Sequence, residues 1–340
     1  MREGGDYVDV IEAAYRLEAD EGTWLEELAG AVARAVPRSA GVWTMLYDAS
    51  AATHTRVGRL HHIGTPPGPV PGLITRLLAT DRAGATFGTA SCALASEVDD
   101  EPRRARIASD VLAHARAHGV SDVLGLNGAD PSGAGVFIGV SLDDRRTRGL
   151  SRQMRDLGAR LAAHASTAYR LRRRLASAGA GAASVLDDGE AVFKAGGRLV
   201  HAEDAAKPRA AQKELRAAVL EIDRARGGLR RRTPAAAVAG WRALVAARWT
   251  LVDHFAHDGQ RYVVARRNEA AAPSLDALSE RERQVVAFAM LGHPNKLIAY
   301  ELGLATSTVG VLLSRAMAKL GVRSRKELLE ALRPRSRDDG

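Results

Sequence analysis

Apolar positions along the chain fall into two main rhythms, one helical and one alternating. Trp24, Leu25, Leu28, Val32 and Val36 recur at helical spacing behind the capping-box pair Thr23 and Glu26, so a helix is predicted over 24–36, ended by Pro37. "AGVWTMLYDAS" then alternates as a strand does, with Trp43, Met45 and Tyr47 on one face. A Pro/Gly-rich stretch at 64–72 interrupts the pattern, a short helix runs to about 80 and another covers 101–118. "SDVLGLNG" and "GVFIGVSL" are predicted as two strands around the loop "ADPSG".

The next stretch keeps one rhythm for longer. Leu150, Met154, Leu157, Leu161, His164, Ala168, Leu171 and Leu175 follow spacings of four and three, a heptad seam on one long amphipathic helix over 150–176. Such a seam needs a partner, either the chain's own first domain or the same helix of a second subunit. On the second reading Leu150, Met154, Leu157, Leu161, Leu171 and Leu175 form a homodimer interface. His164 on the seam is expected to be a satisfied core histidine, and "RLRRR" at 170–174 a solvated face or a contact for DNA or an acidic partner.

"ASAGAGAAS" at 176–184 is a linker by composition. Beyond it come a hairpin turning at Gly196-Gly197, a helix over 207–226, a helix with Thr233 as cap and Pro234 at its first position, and a hairpin around Asp258-Gly259. A second linker, "EAAAPS", covers 269–274. The order of elements over 1–150 resembles a GAF domain, and 177–268 resembles a reduced PAS domain, so the expected fold class is two α+β sensor domains followed by an all-α unit over 274–333.

That last unit has the densest signals. Ser279 with Glu282 opens a helix whose stripe is Val285, Val286, Phe288, Ala289 and Leu291, and Asn295 is predicted to cap a second through Leu297, Ile298 and Leu302. After Gly303, Thr306 is predicted to cap a third with Val309, Leu313, Ala316, Met317 and Leu320 inward, and Ser324 with Glu327 a fourth. Four short helices on tight turns describe a helix-turn-helix. Residues 278–328, through "LSERER", "G-x-x-NK-x-IA-x-x-L", "STV" and "KLGVRSR", are similar along their whole length to the LuxR-type helix-turn-helix of bacterial transcription regulators.

The resemblance implies double-stranded DNA as partner, with Gly310, Val311 and Ser314 at positions of base contact. Here the sequence departs from the family, which places a basic residue and a His where this chain has Gly310 and Leu312. A bidentate guanine contact is therefore unavailable on this face. Phosphate contacts remain open to Lys296, Thr306, Ser307, Thr308, Arg315, Lys319, Arg323 and Arg325. Acyl-homoserine-lactone receptors share this unit, and Trp43 and Tyr47 have their spacing, but Arg56 stands where their acidic ligand contact would fall.

Composition narrows the alternatives. A net charge of +9 over 340 residues suits a nucleic-acid partner, yet residues 1–30 hold nine acids against two bases while 145–176 hold ten Arg against the single Asp156. The lone Cys92 excludes an intrachain disulfide or a cysteine metal cluster, and no ~18-residue apolar run or signal-peptide core is present, so a cytoplasmic protein without a membrane span is expected. No P-loop, metal-ligand cluster or nucleophile constellation is found, so neither an enzyme nor a cofactor or metal site is expected; His254 and His257, three apart on an extended strand, point to opposite faces. The expected function is a one-component transcription regulator whose sensor domains, with a small-molecule or protein signal, control the helix-turn-helix. The rival is a protein-interaction module whose degenerate helix-turn-helix has left DNA.

Overall fold

The computed structural model describes residues 5–36, 39–50, 56–64, 91–98, 102–143, 149–177, 189–242, 244–246, 248–255, 261–268 and 277–332. The Pro/Gly stretch from 65 onward, the short helix to 80, most of the first linker, all of the second, the Asp258-Gly259 turn and His257 lie outside them, as does the side chain of His254.

The first unit runs α1 (Tyr7–Ala14), α2 (Glu21–Ala35), β1 (Ser39–Asp48), β2 (Arg56–Gly64), β3 (Cys92–Leu94), α3 (Pro102–Ala117), β4 (Asp122–Ala129), β5 (Ala134–Leu142) and α4 (Arg152–Ser177). Its antiparallel sheet has the order β2-β1-β5-β4-β3. One face packs Val42, Leu46, Leu126, Val136 and Ile138 under α1, α2 and α4, and the other packs Trp43, Met45 and Val123 under α3. The rings of Trp43 and Tyr47 lie across Gly139 and Gly135 of β5, where a Cβ would overlap them. Asp20, not Thr23, caps α2: its carboxylate accepts from the Gly22 and Thr23 N–H groups at 2.9 and 3.1 Å, and Thr23 Oγ1 donates to it. A carboxylate that reaches two free amides at a helix start outcompetes a neutral hydroxyl.

The second unit contains β6 (Ala191–Lys194), β7 (Arg198–Ala202), α5 (Arg209–Arg224), α6 (Pro234–Gly240), β8 (Leu244–Val245), β9 (Trp249–Phe255) and β10 (Arg261–Arg267), with sheet order β7-β6-β10-β9-β8. Gly196 and Gly197 turn the first hairpin at φ +82° and +76°. Thr233 precedes α6 but its side chain caps nothing. The two units share one apolar core, in which α1 and α4 meet α6. Ion pairs bind the same junction: Arg226 bridges Glu12 and Asp253, and Arg230 reaches Asp6 and Glu12.

The heptad seam finds its partner inside the chain. Leu157, Leu161, His164, Ala168 and Leu171 are 0–5% exposed, and Leu150, Met154 and Leu175 pack half-buried against the same core. The expectation that these leucines hold two subunits together is therefore corrected: β4, α1 and α6 already cover the stripe. The "RLRRR" run is likewise structural. Arg170 pairs with buried Asp130 at 2.9 Å, Arg172 lies over the Trp24 ring and donates to three carbonyls of the α1–α2 turn, Arg173 reaches Ser132, and Arg174 reaches the Arg267 carbonyl.

Candidate nucleic-acid interface

The C-terminal unit comprises α7 (Glu280–Met290), α8 (Asn295–Leu302), α9 (Thr306–Lys319) and α10 (Arg325–Ala331), and it has a core of its own built on Val285, Phe288, Ile298, Leu302, Val309 and Leu313. The Ser279–Glu282 capping box forms in both directions. Asn295 and Thr306 are the first residues of their helices and cap neither; Asn295 Oδ1 instead accepts from Arg325 Nη1. Ser324 accepts from the Glu327 N–H, but Glu327 reaches back to the Arg323 N–H, one residue beyond the expected box. Gly303, at φ +62°, turns the chain so that α8 and α9 meet at 106°.

On α9, Val309, Leu313 and Ala316 are buried, while Thr306, Ser307, Thr308, Val311, Ser314 and Ala318 are exposed and Gly310 is half-exposed. Val311, 50% exposed, stands on the outward face as the base-contact reading requires. The cations divide. Arg315 and Arg323 are exposed with no side-chain partner among the described residues. Lys319 pairs with Glu282 at 2.7 Å, and that bond, with the Ser279 N–H, lowers the Glu282 carboxyl to about 2. Arg325 is a strut: it donates to Asn295 and to the Ala289 and His293 carbonyls, and burial lowers its pKa. Arg325 is thus removed from the phosphate contacts expected of it, and Lys319 would have to leave Glu282 to make one.

Residues 276–331 match the family model for bacterial regulatory proteins of the luxR family. The C-terminal unit is a LuxR-family helix-turn-helix. The transcriptional regulatory protein FixJ of Rhizobium meliloti (strain 1021) is 46% identical over 55 residues, which is 16% of this chain and 27% of that protein. Over the whole chain, the crystal structure of Escherichia coli SdiA in space group P6522 covers 95% of this chain and 93% of its own at 11% identity and a TM-score of 0.35. SdiA in complex with octanoyl-rac-glycerol covers 95% and 84% at 10% identity and a TM-score of 0.27. Likenesses that loose transfer neither fold nor ligand to the first two units.

The LuxR-type unit is docked on the rest of the chain through α8. Lys296 Nζ lies 2.5 Å from Asp156 Oδ2 on α4. The buried His293–Glu301 pair, 2.8 Å apart, extends through His293 Nε2 to Ser91 Oγ at 3.2 Å. Tyr300 Oη lies 2.7 Å from the Val238 carbonyl, 3.0 Å from the Trp241 carbonyl and 2.7 Å from His164 Nε2, and the Arg160 guanidinium sits over its ring. A hydroxyl that gives its hydrogen to a carbonyl must accept from the imidazole, so His164 carries its proton on Nε2 and accepts from Tyr15 Oη, 3.3 Å away, on Nδ1. Burial lowers the His164 pKa to about 3, which keeps the ring neutral, and raises that of Tyr300. Gly303 completes the contact: a Cβ there would collide with the Leu244 carbonyl.

Pattern reading named Lys296 and the seam residue His164 but not their partners. Tyr300, His293, Glu301 and Ser91 went unnoticed because nothing local sets them apart. Asp156 did carry a signal, as the single acid among ten arginines.

Proposed function

We propose that this protein is a DNA-binding transcription regulator whose first two units control the LuxR-type unit through the α8 junction. The observation that carries the reading is α9 itself, presenting Ser307, Thr308, Val311 and Ser314 to solvent beyond a glycine turn in a LuxR-family helix-turn-helix. Free Arg315 and Arg323 supply phosphate contacts, and sequence discrimination falls mainly to duplex shape, since this face lacks a guanine-reading cation. The first unit acts as a GAF-like sensor and the second as a reduced PAS-like one. Control is supported by Lys296: while it is paired with Asp156 it cannot serve a phosphate as well.

A second reading is favoured by one observation, that Val311 is one of two large apolar side chains exposed among the described residues. On it, the α9 face meets a protein. A gel shift with random duplex at low salt separates the two: retarded DNA supports the regulator, and no shift by folded protein supports the protein partner.

A further inference from the structure

A groove of 640 Å³ opens between α5 and the β6–β7 hairpin. Phe193, Leu199, Ala217 and Leu220 give it apolar walls, and Arg198, Arg209, Lys213 and Arg216 line it with four cations. None of the four side chains has an ion-pair or hydrogen-bond partner among the described residues, and no acid lines the groove. The nearby Asp223 is already bound by the Gly196 N–H and Arg261. Four unpaired cations beside apolar walls ask for an occupant that carries both negative charge and apolar side chains.

The groove's other wall decides the form of that occupant. β7 is an edge strand: it pairs only with β6, and no backbone group of Arg198–Ala202 bonds outward among the described residues. Val200, 53% exposed, sits in the middle of it. From Arg209 to Leu220 the helix wall is about 16 Å long at ~1.5 Å per residue, which matches about five residues of extended chain at ~3.3 Å each. β7 is itself five residues long. A free strand edge facing a helix across a lined groove is the arrangement that accepts a peptide by strand addition.

We propose that this groove receives an extended acidic segment of a partner protein, added to the free edge of β7 as a further strand of the second sheet, with the carboxylates of its α5-facing side met by Arg198, Arg209, Lys213 and Arg216. The surface is separate from α9 and the proposal stands whether or not the chain binds DNA.

Two fluorescein-labelled peptides test it on the full chain: acetyl-EVDVEVDE-amide, and the same peptide with every Val replaced by Pro, which keeps the charge but fixes φ away from that of a regular strand and removes those N–H groups, so that the peptide cannot pair as a regular strand. Anisotropy at about 150 mM salt, where loose charge attraction is screened, reads binding. Hydrogen exchange reads the amides of residues 198–202. The proposal expects saturable binding of the valine peptide, slowed exchange along β7, and about tenfold weaker binding of the proline peptide. Lys213→Glu, at an exposed position with no partner to lose, is expected to weaken the valine peptide about fivefold. Equal binding of the two peptides, unchanged exchange along β7, or no binding of either would overturn it.

Discussion

Lys296 and Asp156 face each other at 2.5 Å across the boundary between the LuxR-type unit and the long helix of the first unit. Lys296 is one of the cations open to a DNA phosphate on the proposed reading, and on that reading Asp156 takes a phosphate's place from within the chain. The pair is 58% and 37% exposed, and an ion pair in that setting contributes about 0–1 kcal/mol. Asp156→Asn is therefore expected to raise affinity for duplex DNA by about two- to fivefold. Anisotropy titration of both proteins checks it, and unchanged affinity would mean that Lys296 leaves Asp156 at no cost.

The heavier part of the dock is buried. Tyr300→Phe removes the hydroxyl that accepts from His164 and donates to the Val238 carbonyl of α6, and the loss of these buried bonds costs ~1–3 kcal/mol. The expected result is faster hydrogen exchange of the α4 turn around His164 and of the end of α6 around Val238 and Trp241, with the C-terminal unit, α8 included, held by a core of its own. Faster exchange throughout the C-terminal unit would show a folding defect instead.

His164 makes the dock sensitive to acid. Its folded pKa, about 3, lies below the ordinary 6.5, so its contribution is fully present above pH 6.5 and is lost as pH falls towards 3. By pH 5.5 the loss is on the order of 1 kcal/mol. His164→Gln, which cannot titrate, is expected to flatten the fall in Tm between pH 6.5 and 4. Parallel curves for the two proteins would assign the acid sensitivity elsewhere.

Gly310 has open space around it: a Cβ there would meet no atom within 4 Å. Gly310→Lys should add about 1 kcal/mol of helix propensity and place a cation on the outward side of α9, where the proposed reading puts DNA. Higher Tm and several-fold tighter duplex binding are expected together. A folded variant with higher Tm and no gain in binding would favour a protein as the partner of that face.

The seam supplies a test of the corrected reading. Leu161→Asp would bury a charge between α4 and the first sheet, and is expected to unfold the shared core at a cost of several kcal/mol. A well-folded variant that sediments at half the mass of the parent would restore the interchain seam.

Local chemistry was legible in the sequence and long-range chemistry was not. The Ser279–Glu282 box, the Gly303 turn and the Gly196-Gly197 hairpin each depend on a few adjacent residues, so their signals survive in a linear string. Caps went wrong where a stronger neighbour competed, as Asp20 did with Thr23, or where a side chain was engaged elsewhere, as Asn295 is with Arg325. The heptad stripe showed that a partner was needed but not which one, because a sheet face and a second helix satisfy the same periodicity. His164 and Tyr300 are 136 positions apart, and only the fold brings them within hydrogen-bonding distance.

The most direct test of the account is the salt dependence of duplex binding by the full chain and by Lys296→Ala, followed by anisotropy on one random-sequence duplex. Phosphate contacts release counterions, so the parent should bind with log affinity falling linearly in log salt, and the variant should bind more weakly with a slope shallower by about one unit. No binding by the folded parent at low salt, or identical slopes for the two proteins, would contradict a DNA-docking role for the α8–α9 unit with Lys296 on a phosphate.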